Sequence, residues 1–294
     1  MTSFMVQNHD CSKNKMKRNL KEALSGKLKK SEMELMPRSF DMIGSIAIIS
    51  IPPVLRKKEK LIASAIIKLN KNIKTVVKKA GKVTGRLRTR KTKFLAGINT
   101  EETLHRENAC VMRLDIDKCY FSPRMASDRL DIAKQIKKNE KILVMFGGVA
   151  PYALVIAKNS KAKEVWSIEI NRIASKYARE NVKLNKIGNV KIIQGDVKRV
   201  LPQLKKQKMK FDRIVMARAQ LKENFLHEAF MAAKKGTIIH FHDYVSEKEM
   251  PKKAFSRIFE AAEKDRVRYK ILRWKEIGEV APYFYRVRID FRIL

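Results

Sequence analysis

KILVMFGGVAPYALVIAK, residues 141–158, decides the fold. Ile142 to Phe146 is a short apolar run, Gly147-Gly148-Val149-Ala150-Pro151 is a turn of small residues, and YALVIAK carries apolar side chains at helical spacing. A strand that passes through glycines directly into a helix lets backbone approach a ligand at the carboxyl edge of a parallel sheet. The same pattern also describes an ordinary glycine turn, so the flanking sequence must choose. Working outward, EVWSIEI (164–170), NVKIIQG (189–195), FDRIVMA (211–217) and GTIIHFHDY (236–244) read as further strands. They alternate with the helical patterns RIASKYARENVKLN (172–185), VKRVLPQLKK (197–206) and NFLHEAFMAAKK (224–235). That rhythm is βαβ, and it predicts an α/β domain with a parallel sheet of the nucleotide-cofactor kind. YKILRWKEI and YFYRVRIDFRIL, at 269–277 and 283–294, read as a closing β-pair.

Acids stand at two of the strand ends. Glu169, followed by Ile170, ends the second strand, where a carboxylate accepts hydrogen bonds from both hydroxyls of a ribose. Asp196, followed by Val197, ends the third, where it can meet an adenine amino group. With Phe146, Gly147 and Gly148, these residues make a candidate cofactor set, although Glu169 could also serve only as a helix N-terminal acid. His240 and His242 alternate onto one face, as a metal pair would require, but only Asp243 stands near as a third ligand, so no metal is expected.

The 294 residues include 66 Lys and Arg against 30 Asp and Glu, a formal net charge of +36. Such an excess points to a polyanionic partner, while a Lys-biased composition would coat any solvated face. Cys11, Cys110 and Cys119 are the only cysteines and form no CxxC pair, which argues against a zinc module or a disulfide framework and fits a cytoplasmic setting. No apolar run approaches bilayer length, and the N-terminus lacks the apolar core of a secretory signal. The expected organisation is a basic arm over 1–36, a small α+β unit over 37–120 and the α/β domain over 121–294. From Ser12 to Ser31 the arm mixes Lys with Leu and Met and reads as a basic amphipathic helix or flexible segment rather than a folded domain. In the small unit, IGSIAIISI, KTVVKKA, GRLRTRKTKFLAGI and ACVMRLDID read as strands and KKEKLIASAIIKLN (57–70) as a helix.

Five segments, in order, carry a resemblance: Asp41-Met-Ile-Gly-Ser-Ile-Ala, Leu104-His-Arg-Glu-Asn-Ala-Cys, Tyr120-Phe-Ser-Pro-Arg, Met145-Phe-Gly-Gly-Val-Ala-Pro-Tyr and Glu180-Asn-Val-Lys-Leu-Asn-Lys. From Asp41 onward the chain resembles the archaeal and eukaryotic tRNA (guanine37-N1)-methyltransferases and their sibling, the wybutosine-pathway aminocarboxypropyl transferase. The resemblance implies a Rossmann-like class I methyltransferase domain preceded by a small α+β domain, binding S-adenosylmethionine and methylating guanine N1 beside the anticodon. It implies that Tyr120 walls the cofactor, that Arg124 and Arg129 lie near cofactor and base, and that Arg88 contacts the guanine, with Arg86 and Arg90 close enough to leave the register open. The implied partner is the anticodon stem-loop of tRNA, with the base extruded into a pocket and the enzyme a monomer.

Methylation at N1 requires the N1 proton to leave, and a positioned carboxylate is a natural acceptor. The family's Glu corresponds here to Asp128, one methylene shorter, which could equally cap the helix that begins there. Two departures make the implied site atypical: Ala217-Arg218-Ala219 stands where the family has Asn-Leu-Pro, with Gln220 or Arg218 as substitutes, and Val144 replaces an Asp. Aminocarboxypropyl transfer and a non-catalytic tRNA-binding role therefore stay open as alternatives.

Overall fold

The computed structural model describes residues 20–37, 39–81, 85–217 and 223–294. The arm up to residue 19 and Arg218, Ala219 and Gln220 lie outside the described residues. The chain forms two compact units. Among the described residues, one takes in 89–105, 115–118 and the chain before Gly85, and the other 85–88, 106–114 and 119–294.

The first unit is built on α1 (Lys30–Glu34), β1 (Asp41–Ile43), β2 (Ile46–Ile49), α2 (Glu59–Leu69), β3 (Thr75–Lys79) and β4 (Thr92–Gly97). Its four strands run in the order β1-β2-β3-β4, with β2 parallel to β3 and the outer pairs antiparallel. All four residues of β2 are buried, as a strand covered on both faces requires, and α2 turns Ile62, Ala63, Ala65 and Ile66 inward. The N-terminal stretch differs from expectation: Leu20, Leu24, Leu28 and Met36 are buried in the same core as Ile49, Ile62 and Val76. Its leucines at four-residue spacing are core side chains, so this part of the stretch is folded rather than a free arm. The expected strand over 85–98 shrinks to β4, because the chain turns at 85–88 and Arg88 adopts a left-handed φ of 53°. Gly44, also left-handed, makes the β1–β2 turn against Thr103 and Leu104, while Ser45 N–H donates to Thr103 Oγ1 at 3.0 Å.

A two-stranded ribbon, β5 (Glu102–Glu107) and β6 (Cys110–Asp115), contributes residues to both units, so no single boundary falls at 120. The second unit contains α3 (Ala126–Ala133), β7 (Lys141–Met145), α4 (Pro151–Asn159), β8 (Glu164–Glu169), α5 (Arg172–Leu184), β9 (Val190–Gln194), α6 (Val197–Lys206), β10 (Phe211–Met216), α7 (Leu226–Ala232), β11 (Ala233–Ser246), α8 (Lys252–Asp265), β12 (Tyr269–Ala281) and β13 (Phe284–Ile293). Seven strands form one sheet in the order β12-β13-β11-β10-β7-β8-β9; the five from β11 to β9 are parallel, and β13 is antiparallel to both its neighbours. Along β7, Leu143 and Met145 join one hydrophobic cluster and Ile142 and Val144 the other, so apolar layers cover both faces. Val144 belongs to the second layer, with Val155, Val165 and Val215, which accounts for an apolar residue at that position. The strand order reverses direction at β7 and β10, which puts the crevice of a doubly wound sheet at their carboxyl ends. Helix α8, absent from the sequence reading, packs through Ala254, Ile258 and Ala262.

Candidate active site

Beyond β7 the chain passes through three left-handed residues, Phe146 (φ 62°), Gly148 (φ 57°) and Ala150 (φ 69°). A Cβ on Gly147 would collide with Ser167 Oγ of β8, so only glycine lets the turn lie this close to the neighbouring strand. Gly148 N–H donates to Glu169 Oε2 at 2.7 Å and Asn171 N–H to Glu169 Oε1 at 2.6 Å. Burial pushes the Glu169 carboxyl pKa up, against the pull of these backbone donors. Each carboxylate oxygen keeps further acceptor capacity, which fits a diol at the rim. Asp196 caps α6 by accepting Lys198 N–H at 3.0 Å and also accepts from Arg86 Nη2 at 2.5 Å. Partial burial would raise its pKa, but the Lys198 amide and Arg86 hold it below the usual carboxylate range. Ile170 is half-buried behind Glu169 and Val197 buried behind Asp196, while Phe146 packs edge-on against Phe225 at 5.0 Å. The two strand-end acids and the glycine turn therefore stand together at one sheet edge, and this donor and acceptor set fits a nucleoside cofactor. Arg86 is the member of its run that reaches Asp196; Arg88 is half-buried, with Nε sealed and unpartnered among the described residues.

Asn181 on α5 and Asn185 at its C-cap brace this edge. Asn181 Oδ1 accepts Arg113 N–H at 2.7 Å, and its Nδ2 donates to Arg113 O at 3.0 Å and Val149 O at 3.2 Å. Asn185 repeats the pattern on Val111, at 2.8 and 2.6 Å. Side-chain amides thus stand in for a neighbouring strand along β6, and Asn181 also ties down the glycine turn. Sequence reading quoted both residues within a motif without assigning them this task; an i,i+4 asparagine pair on an otherwise amphipathic helix is the signal.

The Tyr120-Phe-Ser-Pro-Arg segment leads into a short 3-10 turn, Pro123–Met125, and then α3. A Cβ on Gly148 would stand 3.5 Å from the Tyr120 carbonyl, so the Tyr120 backbone lies against the glycine turn. Arg124 is exposed. Arg129, expected near the cofactor, is engaged by protein groups. Its side chain is buried, forms a two-point pair with Glu107 (Nη2 to Oε2 at 2.6 Å, and Nε with Oε1), donates to Ser122 O at 3.1 Å, and lies over the rings of Phe121 and Tyr152. That guanidinium locks β5 to the Tyr-Phe-Ser-Pro segment.

Asp128 does not take the capping role open to it in the sequence. It sits within α3, caps nothing, and is 1% exposed. Its Oδ2 accepts from Tyr152 Oη at 2.6 Å and His242 Nε2 at 2.8 Å, and its Oδ1 pairs with Arg288. Desolvation alone would raise its pKa, but His242, Arg288 and the Tyr152 hydroxyl outweigh it and hold the carboxyl well below the usual range. A sealed carboxylate whose pKa is depressed is a poor acceptor for a guanine N1 proton. The network continues along a polar ladder shared by β11 and β13. Arg288 also bonds Asp131 and Asp290; Asp290 Oδ1 accepts His240 Nδ1–H at 2.5 Å; and His240 Nε2 accepts from Arg213 Nη1 at 2.9 Å. Because an arginine only donates, His240 must be the neutral Nδ1–H tautomer, in line with the burial that lowers its pKa. Both histidines are thereby engaged by protein groups, and the described residues contain no cluster suited to a metal ion.

The model of the TRM5/TYW2 methyltransferase domain matches residues 103–272, more than half of the chain. The chain belongs to the TRM5/TYW2 methyltransferase family. The TYW2 N-terminal domain model matches residues 20–100 of the same chain. Among curated members, the tRNA (guanine(37)-N(1))-methyltransferase Trm5b of Pyrococcus abyssi is 39% identical over 258 residues, 88% of this chain and 76% of its own. The tRNA(Phe) (4-demethylwyosine(37)-C(7)) aminocarboxypropyltransferase of Pyrococcus horikoshii is 30% identical over 278 residues, 95% of this chain and 97% of its own. Of solved TRM5/TYW2 structures, the complex of aTrm5 with tRNALeu superposes with a TM-score of 0.80 at 29% identity, covering 95% of this chain and 79% of that one. P. horikoshii TYW2 in complex with MeSAdo gives 0.78 at 28% identity, covering 95% and 99%. The glycine turn and its two acids thus lie in a family whose members are crystallised with cofactor analogues and with tRNA.

Proposed function

We propose that this chain transfers the methyl group of S-adenosylmethionine to N1 of guanine 37 in the anticodon loop of tRNA. The observation that carries the reading is the co-location of the glycine turn, Glu169, Asp196 and the Tyr120-to-Arg124 segment at one sheet edge, in a chain 39% identical to Trm5b. When bound, the cofactor supplies an electrophilic methyl on sulfur. The protein's part is to bind and orient: Glu169 accepts from the ribose, Asp196 from the adenine once Arg86 is displaced, and Gly147 and Gly148 let the backbone close in. Arg88 and Arg124 supply positive charge for the extruded guanine and its flanking phosphates. We assign Asp128 a positioning role, holding Tyr152, His242 and Arg288 beneath the segment that carries Arg124. We place the reaction in the cytoplasm, by a monomer reading the anticodon stem-loop; among the described residues no helix is long and apolar enough to cross a membrane.

A second reading, aminocarboxypropyl transfer from the same cofactor, is favoured by the TYW2 N-terminal domain match over residues 20–100. Product mass separates the two. Incubation of a guanine-37 tRNA transcript with protein and cofactor should add one methyl at that nucleotide; addition of the larger aminocarboxypropyl group would select the second reading.

A further inference from the structure

β10 ends at Met216, which pairs with Phe241, so β11 from His242 to Ser246 projects beyond the carboxyl edge of the parallel strands. On this projection Tyr244 pairs across with Arg286 of β13. Arg286 is 7% exposed. Its Nε donates to Tyr244 Oη at 2.9 Å, its Nη2 donates to Tyr120 Oη at 2.8 Å and also contacts Tyr244 Oη, and the guanidinium lies 4.9 Å from the Tyr244 ring centre. Burial, with Tyr120 beside it, pushes the Tyr244 phenol up to about 12, so it stays neutral at pH 7 and offers no counter-charge.

The other buried arginines of this unit are paired with acids: Arg129 with Glu107, Arg213 with Glu140, and Arg288 with Asp128, Asp131 and Asp290. Arg286 alone among these has no carboxylate partner, and its Nη1 makes no hydrogen bond among the described residues. Guanidinium is charged at every physiological pH, and a buried charge is costly unless compensated. An acidic partner is missing at Arg286, whose Nη2 reaches the hydroxyl of Tyr120, the residue whose backbone carbonyl lies against the glycine turn.

We propose that Arg286, held by Tyr120 and Tyr244, is an oxyanion-binding site that a reactant completes. Two sources of that oxyanion are available to this family: the carboxylate at the amino-acid end of S-adenosylmethionine, and a tRNA backbone phosphate. Arg286 presents a planar donor fork that suits either. The inference rests on the function proposed above, whose failure would show in the wild-type protein as binding of neither S-adenosylmethionine nor tRNA.

The test is calorimetric binding of S-adenosylmethionine, of methylthioadenosine, which lacks the amino-acid end, and of tRNA, to wild-type and Arg286→Met protein. A carboxylate ligand predicts that Arg286→Met weakens S-adenosylmethionine roughly ten- to a hundredfold while methylthioadenosine is unchanged, the latter also reporting that the variant is folded. A phosphate ligand predicts unchanged cofactor binding, weaker tRNA binding, and a salt slope for tRNA reduced by about one. Arg286→Gln, which keeps donors for the tyrosines without the charge, gives the same readings if the Met variant fails to fold. Wild-type affinity for all three ligands in the Gln variant would overturn the proposal.

Discussion

Asp128, given a positioning role above, is a titratable residue drawn into a buried network. Its carboxylate is shared among a phenol, an imidazole and a guanidinium, all buried. Asp128→Asn would leave Arg288 facing an amide, and removing one partner of a buried pair costs about 3–5 kcal/mol. Urea unfolding should show a loss of that order; a variant of unchanged stability whose kcat alone collapses would restore Asp128 as the base. His240 gives a pH signature. Burial lowers its pKa below the ordinary 6.5, so above 6.5 neither state is protonated, and below it the unfolded chain binds a proton that the folded chain refuses. Stability should therefore fall as pH drops from 6.5, at about 1.4 kcal/mol per unit of depression. The contribution of Asp128 and Asp290, whose carboxyls lie below 3.8 in the fold, is fully present above that pH and disappears only on further acidification. Thermal melts from pH 8 to 5 should decline in the wild type and decline less in His240→Gln; equal slopes would remove His240 from the account. At this scale Gly147, Glu169 and Asp196 were legible because strand-end position is a local property. The direction of Arg129 was not, because it is decided by Glu107, 22 residues away.

Among elements, α5 does more than connect two strands, since Asn181 on it and Asn185 at its C-cap continue the hydrogen bonding of β6 sideways. Asn181→Ala would remove two part-buried bonds to the Arg113 backbone and the buried bond to the Val149 carbonyl, and an unsatisfied buried group costs about 1–3 kcal/mol. The expected outcome is a large drop in melting temperature, accompanied by weaker cofactor binding because the glycine turn loses a tie; normal binding with normal stability would contradict it. The βαβ alternation from Lys141 to Tyr244 was readable because each strand and helix carries its own period. Helix α8 was overlooked because two of the three residues it buries are alanines set among charged residues. The strand expected over 85–98 failed at Arg88, whose left-handed backbone no apolar pattern announces. The folding of residues 20–36 into the first core was hidden by lysines, which dominate the composition while leucines at four-residue spacing do the packing.

For the whole molecule, a charge of +36 would remain even if every Asp and Glu were paired with a base, and it matches a polyanionic substrate. Affinity for tRNA should fall steeply with salt, by about a thousandfold between 50 and 200 mM if six phosphates are engaged; a flat salt response would detach the charge from tRNA binding. The central claim is that this edge, with its atypical Val144 and Ala217, still directs methyl transfer to guanine 37. Mass spectrometry of a guanine-37 tRNA transcript, incubated with the protein and S-adenosylmethionine and then digested, tests it most directly. One methyl on N1 of guanine 37 is the predicted result; an unmodified transcript, although the protein binds both the tRNA and the cofactor, would contradict it.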